Sequence, residues 1–386
     1  MKILLISNTS ATGGAPEAFF NLVCGLLDKG HEIAVILPDR TGPLYSRLFE
    51  AGVKIYADVP YMLCIRPRVL NPVKYYKRMK VLKEGQTEAR AYIGRALDEF
   101  KPDIVHTNVG PLDLALEECR KRGIPHVWHL REFQYRMKFY PSQKLFREEI
   151  LSEGNHNIAI THCVGDYWNI RETDSVIYDA IPEPEHMPER LAEDFYLYVG
   201  RLEKQKGAMQ LLRAFKAFNK MRPIYRLVLI GQSCGLYGLR CKLYAKTQKF
   251  GRNVQFIKYC EDLGSWYSRA TALVVPAVRE GFGLTTATAM LYRCPVIGRD
   301  CDGTREQLDN GKRLTGEEIG YRYKRRRKLV ELMAECALDK NPAKMQDRAQ
   351  KTVRELYTQQ LCTDKIEKLY NQVLGNDKDS GDNSDI

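Results

Sequence analysis

The run Ala272-Leu-Val-Val-Pro276 opens the stretch that most limits what this chain can fold into. It is short, apolar and β-branched, which suits a parallel strand covered on both faces. Glu280 follows, then Gly281 and Gly283 on either side of Phe282, then a helical pattern from Leu284 through Met290 and Tyr292. A second short strand, Pro295-Val-Ile-Gly298, leads to a turn at Asp302-Gly303-Thr304. Two strand-to-helix turns so close together predict one α/β unit. Amides exposed at its helix N-termini can hold an anion. Gly281 and Gly283 allow backbone to approach a ligand closely. Glu280 sits at the mouth, where a carboxylate can accept hydrogen bonds from hydroxyls.

The rest of the chain repeats this alternation. With 386 residues, two domains are expected. The first begins with a strand from Lys2 to Ser7, a loop from Asn8 to Pro16, a helix from Glu17 to Lys29 and a strand from Glu32 to Leu37. Such a βαβ start predicts a doubly wound sheet. Gly13 and Gly14 lie in its first loop, either as a turn or as a ligand contact. Further on, the pattern predicts a helix over Gln86–Phe100, a strand over Ile104–Asn108 and a strand over His126–His129. His129 falls at the C-terminal end of that strand, while His106 and His126 read as structural. The proline-rich segment Pro182–Pro188 reads as the linker. A second α/β half opens with the strand Phe195–Val199, and a helix over Ala343–Leu374 closes the ordered chain.

A second feature sharpens the first. After the strand ending at Val199 comes Gly200-Arg201-Leu202-Glu203-Lys204-Gln205-Lys206-Gly207. Together with Glu280-Gly-Phe-Gly-Leu284, this resembles the donor site of the retaining, family-4 type GT-B glycosyltransferases. The resemblance implies two Rossmann-like, doubly wound parallel-sheet domains with a cleft between them. Residues 1–185 would form the acceptor domain and 190–345 the nucleotide-sugar donor domain. A C-terminal helix, 346–374, would cross back to the first domain, ahead of a disordered tail, 375–386.

The same resemblance assigns roles. Arg201 and Lys206 would meet the charge of a departing diphosphate, which something positive must stabilise. Glu280 would contact donor-sugar hydroxyls, and the amides from Gly281 through Phe282 and Gly283 to Leu284 would hold phosphate. His129 would lie beside the transferred sugar, Gly13 and Gly14 would border the donor, and Glu306 would occupy a further acidic position there. The family's ribose-binding glutamate is replaced by Thr288, whose hydroxyl binds more weakly than a carboxylate. That leaves two readings: a transferase, or a catalytically silent nucleotide-sugar-binding subunit. The donor would be a UDP- or GDP-sugar and the acceptor a sugar or lipid-linked sugar of a bacterial surface polysaccharide, with no metal and no cofactor. A dehydrogenase lacks support, since no Gly-x-Gly-x-x-Gly follows the first strand.

Charge and cysteine usage bound the setting. Sixty basic against 48 acidic residues give a net charge of +12, and no nucleic-acid motif accompanies it. Between Asp58 and Glu84 every charged residue is basic: Arg66, Arg68, Lys74, Lys77, Arg78, Lys80 and Lys83. Tyr61, Met62, Tyr75, Tyr76 and Val81 are interleaved with them. The segment 66–83 reads either as an interfacial stretch for an anionic membrane surface or as a solvated face. The run Lys324–Lys328 reads as a solvated face. Eleven cysteines without a Cys-x-x-Cys pair fit free thiols in a reducing compartment. A cytoplasmic protein, peripheral on the inner membrane face, is the expectation.

Overall fold

The computed structural model describes residues 1–11, 13–60, 63–134, 138–140 and 142–376. Residues Tyr61 and Met62 of the basic segment lie outside these, as does the expected tail from 377 on. The chain divides into two units, residues 1–180 with those from Gln359 onward, and residues 181–358.

The first unit holds strands β1 (Lys2–Ile6), β2 (Glu32–Ile36), β3 (Lys54–Tyr56), β4 (Ile104–Thr107), β5 (His126–Leu130), β6 (Asn155–Ala159) and β7 (Ser175–Val176). All pairings are parallel, in the order β3-β2-β1-β4-β5-β6-β7. Between them run helices α1 (Gly14–Asp28), α2 (Pro43–Glu50), α3 (Pro72–Phe100), α4 (Leu114–Arg122), α5 (Gln143–Ile150) and α6 (His162–Trp168). Alternate residues of β1 serve opposite layers. Ile3 and Leu5 pack with Phe19, Leu22 and Leu26 of α1. Leu4 and Ile6 pack with Ile93, Leu97 and Phe100 of α3. Covering on both faces is why the strand is apolar throughout rather than alternating.

The second unit has strands β8 (Phe195–Val199), β9 (Arg226–Ile230), β10 (Val254–Ile257), β11 (Ala272–Val275), β12 (Val296–Arg299) and β13 (Tyr321–Tyr323). Their order is β10-β9-β8-β11-β12-β13, again parallel. Its helices are α7 (Ala208–Asn219), α8 (Gly235–Lys246), α9 (Leu263–Arg269), α10 (Leu284–Leu291), α11 (Asp302–Thr315), α12 (Arg326–Leu338) and α13 (Ala343–Leu356). The last helix, α14 (Gln359–Val373), belongs to the first unit, where Ile366, Leu369 and Tyr370 join the layer beside α1.

Three expectations need correction. The helix expected from Gln86 begins at Pro72. Asn71 caps it, accepting from the Lys74 amide at 3.0 Å, and Pro72 at the first helical position needs no amide partner. Gly85, just before the expected start, costs only about 1 kcal/mol inside a helix, and the run continues through it. The single helix expected over 343–374 is two, α13 and α14, and only the second belongs to the first unit. The break is at Tyr357, whose carbonyl accepts from Ile181 at 2.7 Å and whose hydroxyl accepts from Asn310 at 3.0 Å. The first helix starts at Gly14 rather than Glu17, so Gly13 is its N-cap and Gly14 its first residue.

Candidate functional site

In the second unit, the chain leaves β8 toward β9 on one side, while β11 leads to β12 on the other. Leu197 of β8 sits opposite Val228 of β9 and Leu273 of β11. The switch point of the sheet therefore lies between β8 and β11, and open α/β sheets take ligands outside the carboxyl ends of the strands at such a point.

The β8 loop is held by its own backbone. Leu202 is buried and its amide donates to the Gln232 carbonyl at 2.8 Å. The Tyr198 hydroxyl donates to the Arg201 carbonyl at 2.8 Å. The Val278 amide donates to the Gln205 carbonyl at 2.8 Å, joining the β8 and β11 loops. Gly207 closes the junction with φ +75°, and a Cβ there would lie 2.1 Å from the Pro276 carbonyl oxygen. This geometry brings Lys206 to Glu280. The Lys206 ammonium donates to both carboxylate oxygens at 2.8 Å. The two side chains are 31% and 12% exposed. Arg201 stands apart from this pair, 64% exposed and bonded to Glu203 at 3.1 Å.

The β11 loop ends at Gly283, the left-handed N-cap of α10. The amides of Leu284 and Thr285 open this helix and have no acceptor within it. Phe282 does not face outward. It is buried with its ring edge-on to Tyr357, centroids 5.1 Å apart. Gln307 of α11 holds this turn, donating to the Phe282 carbonyl at 2.8 Å and the Gly283 carbonyl at 3.2 Å. The Glu280 carbonyl accepts from the Gly303 amide at 3.0 Å. Thr288, one turn into α10, and Glu306, in α11, are both partly exposed.

Thr286 and Gln307 were not singled out by sequence. Thr286 Oγ1 and Gln307 Oε1 are buried without hydrogen-bond partners. Such atoms are rare and call for a ligand or an ordered water. Their sequence signal is slight, since a threonine and a glutamine in helices suggest nothing on their own. Two aspartates one residue apart follow β12, and Asp300 is bonded by Arg305 and Lys324, Asp302 by Arg279. Both carboxylates serve cations of the chain.

In the first unit, Gly13 and Gly14 are exposed at the start of α1, and Glu17 pairs with Arg47. His129 does not sit open at its strand end. It lies within β5, 1% exposed. His129 Nδ1 is 3.2 Å from His106 Nε2 and 3.4 Å from Arg131 Nη2. A guanidinium can only donate, so His129 Nδ1 accepts, and its proton resides on Nε2. His106 Nε2 then donates to His129, and His106 Nδ1 accepts from the Tyr370 hydroxyl at 2.5 Å. Burial, with Arg131 nearby, holds both imidazoles well below their usual range, so both are neutral. His129 Nε2–H is left buried without an acceptor. Arg131 is anchored by Asn108 and Asp179. His126 is bonded to Thr107 and Asn155, a structural role.

Glu132, two residues past the end of β5, was not singled out by sequence either. Although the residue is partly exposed, its carboxyl Oε1 is enclosed beside Gly110 and accepts from Gln134 at 2.7 Å. Burial pushes this carboxyl up from 4.5 to about 7, against the pull of Gln134 and Arg131. The folded protein thus binds a proton that the unfolded chain releases between those values, and stability falls as pH rises through that window. Glu132→Gln is expected to be more stable than wild type at pH 8 by about 1–3 kcal/mol, with the gain shrinking toward pH 5. Urea midpoints at both pH values check it, and an equal difference at both would refute the assignment.

Comparison with known proteins agrees across both units. The model of the family described as "Glycosyl transferases group 1" matches residues 183–355, and that of "Glycosyl transferase 4-like domain" matches residues 13–168. An uncharacterized glycosyltransferase of Haemophilus influenzae is 22% identical over 309 residues, 78% of this chain and 81% of that protein. The capsular polysaccharide biosynthesis glycosyltransferase CapM of Staphylococcus aureus is 27% identical over 177 residues, 46% of each. Among solved structures, Anabaena HepE in complex with UDP and glucose superposes with a TM-score of 0.76 at 15% identity, covering 96% of this chain and 100% of that one.

Proposed function

Because the chain belongs to the group 1 glycosyl transferases, with the two Rossmann-like domains of the GT-B, family-4-like kind, we propose that it transfers a sugar from a nucleotide-sugar to a hydroxyl acceptor in bacterial surface polysaccharide assembly. The observation that carries this reading is the Lys206–Glu280 pair beside the first amides of α10. Glu280 accepts from sugar hydroxyls. Lys206, with a third N–H beyond the two given to Glu280, meets a phosphate oxygen. Leu284 and Thr285 amides hold the same anion. Arg201, free to swing from Glu203, adds a second charge. These cations do the work that a metal would otherwise do, and no metal is required in this reading. Transfer proceeds with retention, the departing phosphate oxygen taking the acceptor proton. His129, neutral and with Nδ1 already engaged, does not serve as a base in this reading.

The capsule role of CapM supports a surface-polysaccharide acceptor, and the UDP in HepE supports a uridine nucleotide as the first donor to test. Thr288, standing where the family's ribose-binding glutamate would be, supports the alternative of a silent binder. Slow hydrolysis of UDP- and GDP-sugars by the purified protein separates the two. Turnover of one donor is expected, and tight binding without turnover, with or without acceptors, would establish the silent subunit.

Among the described residues no helix is long and apolar enough to cross a membrane. The first half of α3 nevertheless exposes Val73, Tyr76 and Val81, at 63%, 74% and 57%, beside Lys74, Lys77, Arg78 and Lys80. We read this as a reversible contact with an anionic bilayer, each cation there being worth about 1 kcal/mol. Wild type is expected to float with anionic vesicles at low salt, and a Lys74, Lys77, Arg78, Lys80 charge-reversal variant to sediment. Equal flotation of the two removes the contact.

A further inference from the structure

A groove of about 710 Å³ runs between α7 and α12 in the second unit. None of Arg201, Lys206, Glu280 or the α10 turn lines it. Its lining carries more cations than anions, the one carboxylate, Glu331, being paired with Arg327 at 3.1 Å. Near the N-terminal halves of the helices stand Gln210 and Arg213 of α7, Arg326 of α12, and Arg299 and Lys324 at the ends of β12 and β13. Farther along lie Ala217 and Met221 on one side, Val330 and Ala334 on the other. Arg326, Val330 and Ala334 recur every four residues and share one face of α12, as Arg213 and Ala217 do on α7, with Met221 in the turn just past its end.

The charged end is only partly neutralised. Arg299 donates to Gln210 at 2.8 Å, and Lys324 lies 3.3 Å from Asp300. Glu331 is taken up by Arg327 and Lys328, whereas Arg213 and Arg326 have no carboxylate partner among the described residues. An independent sign of a ligand comes from Tyr323. It lines the groove, is 4% exposed, and its hydroxyl is buried with no hydrogen-bond partner. The apolar end is open to solvent, Met221 being 54% exposed.

We propose that this groove binds a phosphate-headed lipid, its phosphate held by Arg213, Arg326 and the Tyr323 hydroxyl, and its hydrocarbon laid along Ala217, Met221, Val330 and Ala334. A bare anion would leave the apolar end uncovered, and a neutral lipid would leave the cations and the phenol unpaired. Arg326 and Ala334 are eight residues apart in α12, about 12 Å along the helix axis, enough for a short hydrocarbon segment. This site goes beyond the donor crevice and does not depend on the transferase reading.

Calorimetric titration of the full chain with dihexanoyl phosphatidic acid, below its aggregation concentration, tests the proposal. Binding at least about tenfold tighter than that of inorganic phosphate or dihexanoyl phosphatidylcholine is expected. The Arg213→Glu, Arg326→Glu double variant should lose about tenfold or more. Tyr323→Phe should lose several-fold with no change in thermal midpoint. Ala217→Trp, at an exposed position, should abolish the preference for lipid over phosphate. Equal binding of phosphate, of phosphatidylcholine or of an acidic hexapeptide, the same affinity in wild type and all variants, or no binding at all, each overturns it. Donor hydrolysis should stay at the wild-type level in every variant. Lipid binding by a protein without donor hydrolysis would sink the transferase reading and leave this one intact.

Discussion

Lys206→Ala is expected to lower donor hydrolysis about 10²–10³-fold, the largest effect of any single truncation in the second unit. Two losses combine in that figure. The leaving diphosphate loses a charge held within 2.8 Å of both Glu280 oxygens, hence one that is already positioned. Glu280, only 12% exposed, is also left as an unpaired carboxylate beside the incoming anion. Glu280→Gln keeps the shape and removes the second problem, so Lys206→Ala with Glu280→Gln should be less than the sum of the singles. Arg201→Ala should cost only about tenfold, since Arg201 is exposed and must be ordered on binding. Steady-state hydrolysis of the preferred donor reads all four. Wild-type turnover in Lys206→Ala, or strict additivity in the double variant, would sink the phosphate role of this pair.

Gly207→Ala tests the scaffold beneath the pair. Its φ of +75° disfavours any side chain, and the new Cβ would meet the Pro276 carbonyl at 2.1 Å. Backbone does not yield as a flexible side chain would, so the β8 and β11 loops must part. A destabilisation of about 1–3 kcal/mol is expected from strain, together with a loss of about 10² in turnover from displaced Lys206 and Glu280. Gly316→Ala is the control. Its φ is +80°, yet nothing lies within 4 Å of the added carbon. It should share the strain and keep its activity. Equal turnover losses in the two variants would show that general destabilisation, not loop geometry, governs the effect. Thermal midpoints alongside kinetics separate the outcomes.

Much of this molecule was legible because its signals are local. An apolar β-branched run such as Ala272–Val275, followed by glycines and an amphipathic helix, has few alternatives within ten or fifteen residues. The same held for Lys2–Ile6 and Phe195–Val199, and from these the two doubly wound sheets followed. Local signals misled where tertiary packing outweighed them. The helix was expected to start at Gln86, yet α3 runs through Gly85 from Pro72, with Leu82, Gln86 and Ala89 buried on either side of the glycine. Tyr357 read as helical, yet its carbonyl and hydroxyl serve Ile181 and Asn310, and the helix ends there.

The sequence by itself determined the strands, the glycine turns and the identity of Arg201, Lys206 and Glu280 as the residues to watch. It could not say that Lys206 would meet Glu280 while Arg201 stayed in solvent, because that depends on β8 lying next to β11, strands separated by three helices and two other strands. Nor could it say that Tyr370, 264 residues from His106, would bond to that imidazole beside His129. The enclosure of Glu132, the unpartnered hydroxyl of Tyr323 and the orphaned atoms of Thr286 and Gln307 were likewise decided only in three dimensions. The physical reason is the range of the forces involved. Backbone preference and hydrophobic period act over a turn or a strand, whereas desolvation, ion pairing and hydrogen-bond satisfaction depend on which elements the sheet order brings together.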